Sequence, residues 1–240
     1  MNRIARLTLA ASFASLTLAA SSAHAVVNFF DGIFNNSDWT LTTFNNATGV
    51  GSTSQGLQFL TGGNPNEYRR IRNNLLVSNP GNGAVIGFHM NVTAFYTPSS
   101  QGAITSINYS EDSINFFNQP GNGQNAGLAI LQNGIYYRMQ PPTFFMPFVP
   151  FSASNPNAAA GLTASSFAEV TPAGIVNISS HPDFSPTGTI MQLGFYRGNG
   201  SNGNITTDCG IDNWRVSIIP APGATALLGL GGLVALRRRR

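Results

Sequence analysis

Glu111-Asp112 is the only adjacent pair of carboxylates in the chain. Two carboxylates across one groove are what glycoside hydrolysis requires. In a strand these two side chains leave on opposite faces, and in a turn they merely solvate it, so the pair does not share one substrate. Glu67 and Glu169 stand alone as further acids. Cys209 is the only cysteine, which rules out an intrachain disulfide; it reads as a small buried residue rather than a nucleophile. His89 and His181 sit in separate segments without neighbouring ligands, which argues against zinc. The chain has no lysine, so neither a P-loop nor a Schiff base is available. "GNGSNG" (198–203) and "GNGQNA" (121–126) match the glycine pattern of dinucleotide sites. No helical pattern follows either, and both read as turns.

Hard oxygen donors gather twice, at Asp208, Asp212 and Asn213 and at Asp31, Asn35 and Asn36. Calcium is the one metal they would suit, but neither group has EF-hand spacing, and bonding of turn backbones is the leading reading. No other cofactor is expected. Tyr136 and Tyr137 must point to opposite faces of a strand. One of them, with Tyr196, is a candidate ring for stacking on a sugar, with amides such as Gln132 and Gln192 as hydrogen-bonding partners. Trp39 and Trp214 are expected in the core.

The elements that must position these residues are strands. Short apolar or alternating runs recur at 39–44, 56–60, 84–95, 103–110, 127–139, 174–180, 189–197 and 211–219, separated by Asn and Gly. Asn133-Gly134 predicts a type I′ hairpin between two apolar strands. No segment between the termini carries a sustained helical period. Residues 139–161 break the rhythm: Pro141, Pro142, Pro147 and Pro150 exclude a regular central strand. In that long connection Phe144, Phe145, Phe148 and Phe151 are expected to cover one end of the core, an exposed binding patch being the other reading. The expectation is an all-β antiparallel sandwich over 26–218.

Both ends differ from this body. Residues 1–25 begin with Arg3 and Arg6, continue through an uncharged stretch, and close on Ala23-His24-Ala25 before Val26. That is the layout of a cleaved secretory signal, handled by export machinery. Residues 219–240 run from Pro220-Ala221-Pro222 through an apolar stretch, 224–236, to Arg237, Arg238, Arg239 and Arg240. As a short apolar helix this tail is expected to act as a transmembrane helix that anchors the chain transiently in the inner membrane, with the arginines inside; a permanent anchor is the alternative. The formal charge of +3 belongs to these ends, because 26–218 holds six arginines against nine acids, or −3. A nucleic-acid partner therefore loses its support.

The proline motif, glycine-containing apolar stretch and arginine cluster resemble the PEP-CTERM sorting signal of bacterial exported proteins. Pro220-Ala221-Pro222 stands where that family has Pro-Glu-Pro. The resemblance implies processing by an exosortase-type protease and a destination at the cell surface or in the extracellular matrix, associated with polysaccharide. "GGNPNEYRRI" (62–71) and "CGIDNWRVSIIP" (209–220) resemble segments of exported jelly-roll domains similar to concanavalin A-like lectins. This implies a lectin-like sandwich of about a dozen strands whose concave face commonly binds glycans. The acid ladder of glycosidases with that fold, Glu-x-Asp-x-x-Glu, is absent. The favoured function is thus a non-enzymatic, polysaccharide-associated exported protein. A polysaccharide-acting enzyme and a structural module binding a protein partner remain open beside it.

Overall fold

The computed structural model describes residues 25–78, 81–116, 124–141, 144–145 and 157–222. The chain enters as β1 (Val27–Asp31) and β2 (Trp39–Asn45), then β3 (Thr53–Gly63) and β4 (Asn66–Leu75). The long β5 (Gly83–Tyr96) and β6 (Ile104–Asn115) are followed by β7 (Asn125–Gln132), β8 (Ile135–Met139) and the short β9 (Phe144–Phe145). β10 (Asn157–Leu162), β11 (Phe167–Val170) and β12 (Val176–Asn177) lead to β13 (Met191–Ser201) and β14 (Ile205–Pro220).

Two antiparallel sheets result. One runs β10-β6-β14-β4-β3, with β1 joining β14; the other runs β12-β11-β8-β7-β13-β5-β2, with β9 joining β7. Asn133 and Gly134 both take positive φ, 54° and 76°, which is what the two-residue hairpin between β7 and β8 requires. The glycine run at 198–203 ends β13 and turns into β14, with no helix behind it.

The sheets stack face to face around an aromatic centre. Trp39 of β2 meets Trp214 of β14 at 5.2 Å and Phe195 of β13 at 5.0 Å between ring centroids. The sheets approach closely enough to require glycine at Gly56 of β3, where a Cβ would lie 2.7 Å from Cε1 of His89 on β5. Part of the interlayer is polar. Glu111 of β6 and Arg197 of β13 are both fully buried and pair across the layer at 2.7 Å. Tyr109 and Ser113 also donate to Glu111, and Asn73 of β4 donates to Asn199 of β13 at 2.8 Å. A sandwich is therefore the architecture, as the alternation implied.

The expected transmembrane helix, and with it the transient inner-membrane anchor, is corrected. Among the described residues no helix is long and apolar enough to cross a membrane. Their one α-helical piece, Pro98–Gln101, has four residues and reaches about 6 Å, against ~30 Å of hydrocarbon. The signal segment 1–24, the apolar stretch 224–236 and Arg237 to Arg240 lie outside the described residues. So do Phe148 and Phe151, together with the side chains of Phe144 and Phe145. Ala25 and Val26 are exposed ahead of β1. β14 runs through Pro220, which pairs with Ile104, and the Ala221 N–H bonds the Ala103 carbonyl at 2.6 Å, so the proline motif continues directly from the sheet.

Candidate functional site

The strand alternation separates Glu111 from Asp112 as expected. Glu111 turns inward to Arg197, and Asp112 leaves on the outer face of the six-stranded sheet. There it lies directly across from Asp212 of β14. Two like charges opposite each other on neighbouring strands destabilise a sheet. Here N–H donors relieve them. β14 bulges after Asp212, and Asn213 takes φ 49°, a left-handed conformation that Asn tolerates. The bulge presents the Asn213 backbone N–H to Asp212 at 2.6 Å and the Asn213 amide to Asp112 at 2.8 Å. The loop between β3 and β4 adds the Asn64 backbone N–H to Asp212 at 2.5 Å and the Asn64 amide to Asp112 at 3.0 Å. Burial raises the Asp212 pKa to about 6 against the pull of these two backbone N–H groups, and the neighbouring Asp112 and Glu67 push in the same direction as burial.

Beside this cluster an open groove of about 420 Å³ is lined by Asn64, Pro65, Ser110, Glu111, Asp112, Asn213 and Arg215, the Glu111 carboxylate itself being buried on Arg197. Its volume falls within the range of small-ligand pockets, about 300–1,000 Å³. It offers a carboxylate acceptor, amides and a hydroxyl that both donate and accept, and a guanidinium. Arg215 sits 4.4 Å above the ring of its cross-strand partner Phe30, which is 57% exposed. That ring gives the groove an apolar flank.

The carboxylates do not form a catalytic pair across this groove. Asp112 and Asp212 are both buried, 4% and 1% exposed, and sit side by side on neighbouring strands rather than on opposite walls of the groove. Glu169 belongs to the other sheet, where Asn177 donates to it at 3.4 Å. Cys209 is buried, and desolvation raises its thiol pKa to about 12. His89 is buried and stacked on Phe195, and burial lowers its pKa well below the usual imidazole value, so it stays neutral.

The oxygen groups considered for calcium are otherwise engaged. Asp208 is held by Arg70 and Arg72. Asp31 accepts from the N–H groups of Ile33 and Phe34 and from Trp39 Nε1. Asn36 accepts from the Gln58 N–H and from Arg69. Asn35 donates to Asp38. Among the described residues no group of three His, Cys, Asp or Glu side chains is placed to hold a metal.

The tyrosines chosen for stacking lie elsewhere. Phe195 pairs with His89, which faces the six-stranded sheet, so Tyr196 and its partner Phe88 point the other way. Tyr196 is fully buried there, donating to the Met139 carbonyl at 3.2 Å, and Tyr136 packs between Phe44 and Phe88. Tyr137 is buried in the interior. Neither Tyr137 nor Tyr196 presents a ring to a ligand, and Tyr136 is half-buried.

Asn64, Ser110 and Arg215, which no spacing singled out, gather around Asp112, and a second group forms where Arg70 and Arg72 meet Asp208. In "EYRRIR" Arg70 and Arg72 share a face and Arg69 takes the other. No protein-family model matches this chain, and no curated protein matches it.

Proposed function

We propose that this chain is an exported, non-enzymatic module that holds extracellular polysaccharide on the outer face of its six-stranded sheet. In this reading the two sheets are a lectin-like jelly roll. Residues 1–25 are the export signal, and Pro220-Ala221-Pro222 with Arg237 to Arg240 belong to a PEP-CTERM-like sorting signal cut by an exosortase-type protease. The observation that supports the binding role is the groove at Asp112. Donors and acceptors side by side, fixed by a bulge and a loop that brace each other, suit a ligand rich in hydroxyls. Hydrolysis would need a second carboxylate roughly 5–9.5 Å away across the same groove; Asp212 is instead sealed under Asn64.

The test uses residues 26–222, applied to a panel of immobilised polysaccharides with a parallel assay for released sugars. Retention without release is expected, with Asp112→Ala lowering retention at least about tenfold, the loss of one charge-assisted hydrogen bond. Release of sugars would overturn the non-enzymatic reading. Failure to be retained on any polymer would overturn the binding role.

A further inference from the structure

The same sheet face carries a second feature, built from cross-strand rows. Gln55, Arg72 and Asp208 lie side by side on β3, β4 and β14; Leu57, Arg70 and Gly210 form the next row, and Phe59 and Tyr68 the one after. Both guanidiniums converge on the Asp208 carboxylate, Arg70 Nε at 2.7 Å from Oδ1 and Arg72 Nη2 at 2.6 Å from Oδ2. Asp208 is wholly buried beneath them, while the arginine side chains are 32% and 51% exposed. Two cations share one hidden anion, so this patch faces solvent with a net positive charge, on a body whose own balance is −3. Arg70 lies 5.4 Å from the ring of Phe59 and 5.0 Å from that of Phe116, each more than a third exposed. A shallow depression of about 140 Å³ is walled by Gln55, Leu57, Phe59, Arg70 and Arg72.

We propose that this patch is a subsite for the carboxylate of a uronic-acid residue, making the preferred ligand an acidic rather than a neutral polysaccharide. This rests on the reading of the sheet face as a polysaccharide site. The guanidinium N–H groups not spent on Asp208 take the ligand carboxylate, for which a planar fork is well shaped. Leu57 and the Phe59 ring take the apolar face of the sugar, and Gln55 supplies an amide. The occupant follows from charge and shape together: a bare inorganic anion would not use the rings, and a neutral sugar would leave the positive charge unbalanced. Asp208 and Asp212 are four residues apart on β14, or about 13 Å, so a single extended chain can reach both this patch and the Asp112 groove.

The experiment measures affinity of the full chain for polygalacturonate and for the same polymer methyl-esterified, which keeps the sugar and removes the charge. Expected is at least about tenfold tighter binding to the free acid, weakened by salt. Arg72→Gln, at the more exposed arginine, and Phe59→Ala, which leaves every charge in place, should each erase most of that difference. Equal affinity for the two polymers overturns this proposal; if Asp112→Ala still abolishes that binding, the polysaccharide role itself stands. Equal salt-sensitive binding to DNA would replace the uronate with any polyanion and overturn it as well. A dimer in solution that Phe59→Ala dissociates would mean that a second copy occupies the patch. No binding to either polymer overturns both readings together.

Discussion

Arg197→Met tests the buried pair that ties the two sheets together. Surface ion pairs contribute about 0–1 kcal/mol, but removing one partner of a buried pair costs about 3–5 kcal/mol, because the other charge is left uncompensated. Both partners here are fully buried. The substitution removes the 2.7 Å bond to Glu111, the 3.0 Å bond to the Tyr196 carbonyl and a cation held 4.9 Å from the Phe195 ring. Two terms soften the loss. Tyr109 and Ser113 still donate to Glu111. Arg197 Nε has no partner among the described residues, so its own burial penalty, about 1–3 kcal/mol, disappears with it. The lower end of the range is therefore expected, about 3 kcal/mol, or a fall in Tm of roughly 6–12 °C for a domain of this size. The assay is urea unfolding of the native protein, the Arg197→Met and Glu111→Gln variants, and the double variant. Neutralising Glu111 removes the stranded charge, so the double variant should be at least about 1 kcal/mol more stable than the sum of the single losses implies. A loss below 1 kcal/mol for Arg197→Met, or strict additivity, would refute the claim that this pair acts as one buried unit.

Two further outcomes follow from buried titratable groups. Cys209 should resist thiol reagents at pH 8 and become reactive only at the rate of unfolding, since desolvation raises its pKa to about 12; rapid stoichiometric labelling of the native protein would contradict its burial. Asp212 has its pKa raised from 3.8 to about 6, so the folded state holds the proton more tightly than the unfolded one. Its contribution to stability is then complete below about pH 3.8 and is lost as pH rises through 6. Subtracting the pH profile of Asp212→Asn from that of the native protein should leave a difference that falls between those limits, and a flat or rising difference would show that the bulge does not impose that environment.

What could be read from the chain was whatever depends on near neighbours. Asn133-Gly134 specifies its turn through the φ values two residues must adopt, and the hairpin forms there. Period-two alternation put Glu111 and Asp112 on opposite faces, and Arg70 and Arg72 on the same one, and each strand obeys it. The apolar stretches at both ends fall outside the described residues, and strand β10 was hidden in a segment that looked like a loop, because "NAAAGL" carries no β-branched or aromatic side chain.

The candidate site was less legible, for a different reason. Alternation assigns a side chain to a face but does not say whether that face is covered. Tyr196 is a fair stacking candidate by type and sits on the sheet face pointing away from the sandwich interior, yet it is fully buried. The groove poses the complementary problem. Asp112 gains its meaning from Asp212, a hundred residues later, and from Asn64, and what joins them is the register of β6 against β14 together with a bulge. A shift of one residue in that register would reverse the faces of β6 relative to β14, sending Asp112 inward and the partner of Arg197 outward. The buried Glu111–Arg197 pair therefore does more than join the layers. A slip would leave Arg197 buried without Glu111, a cost that opposes it, so the pair inside the sandwich holds Asp112 on the other face, where the groove is.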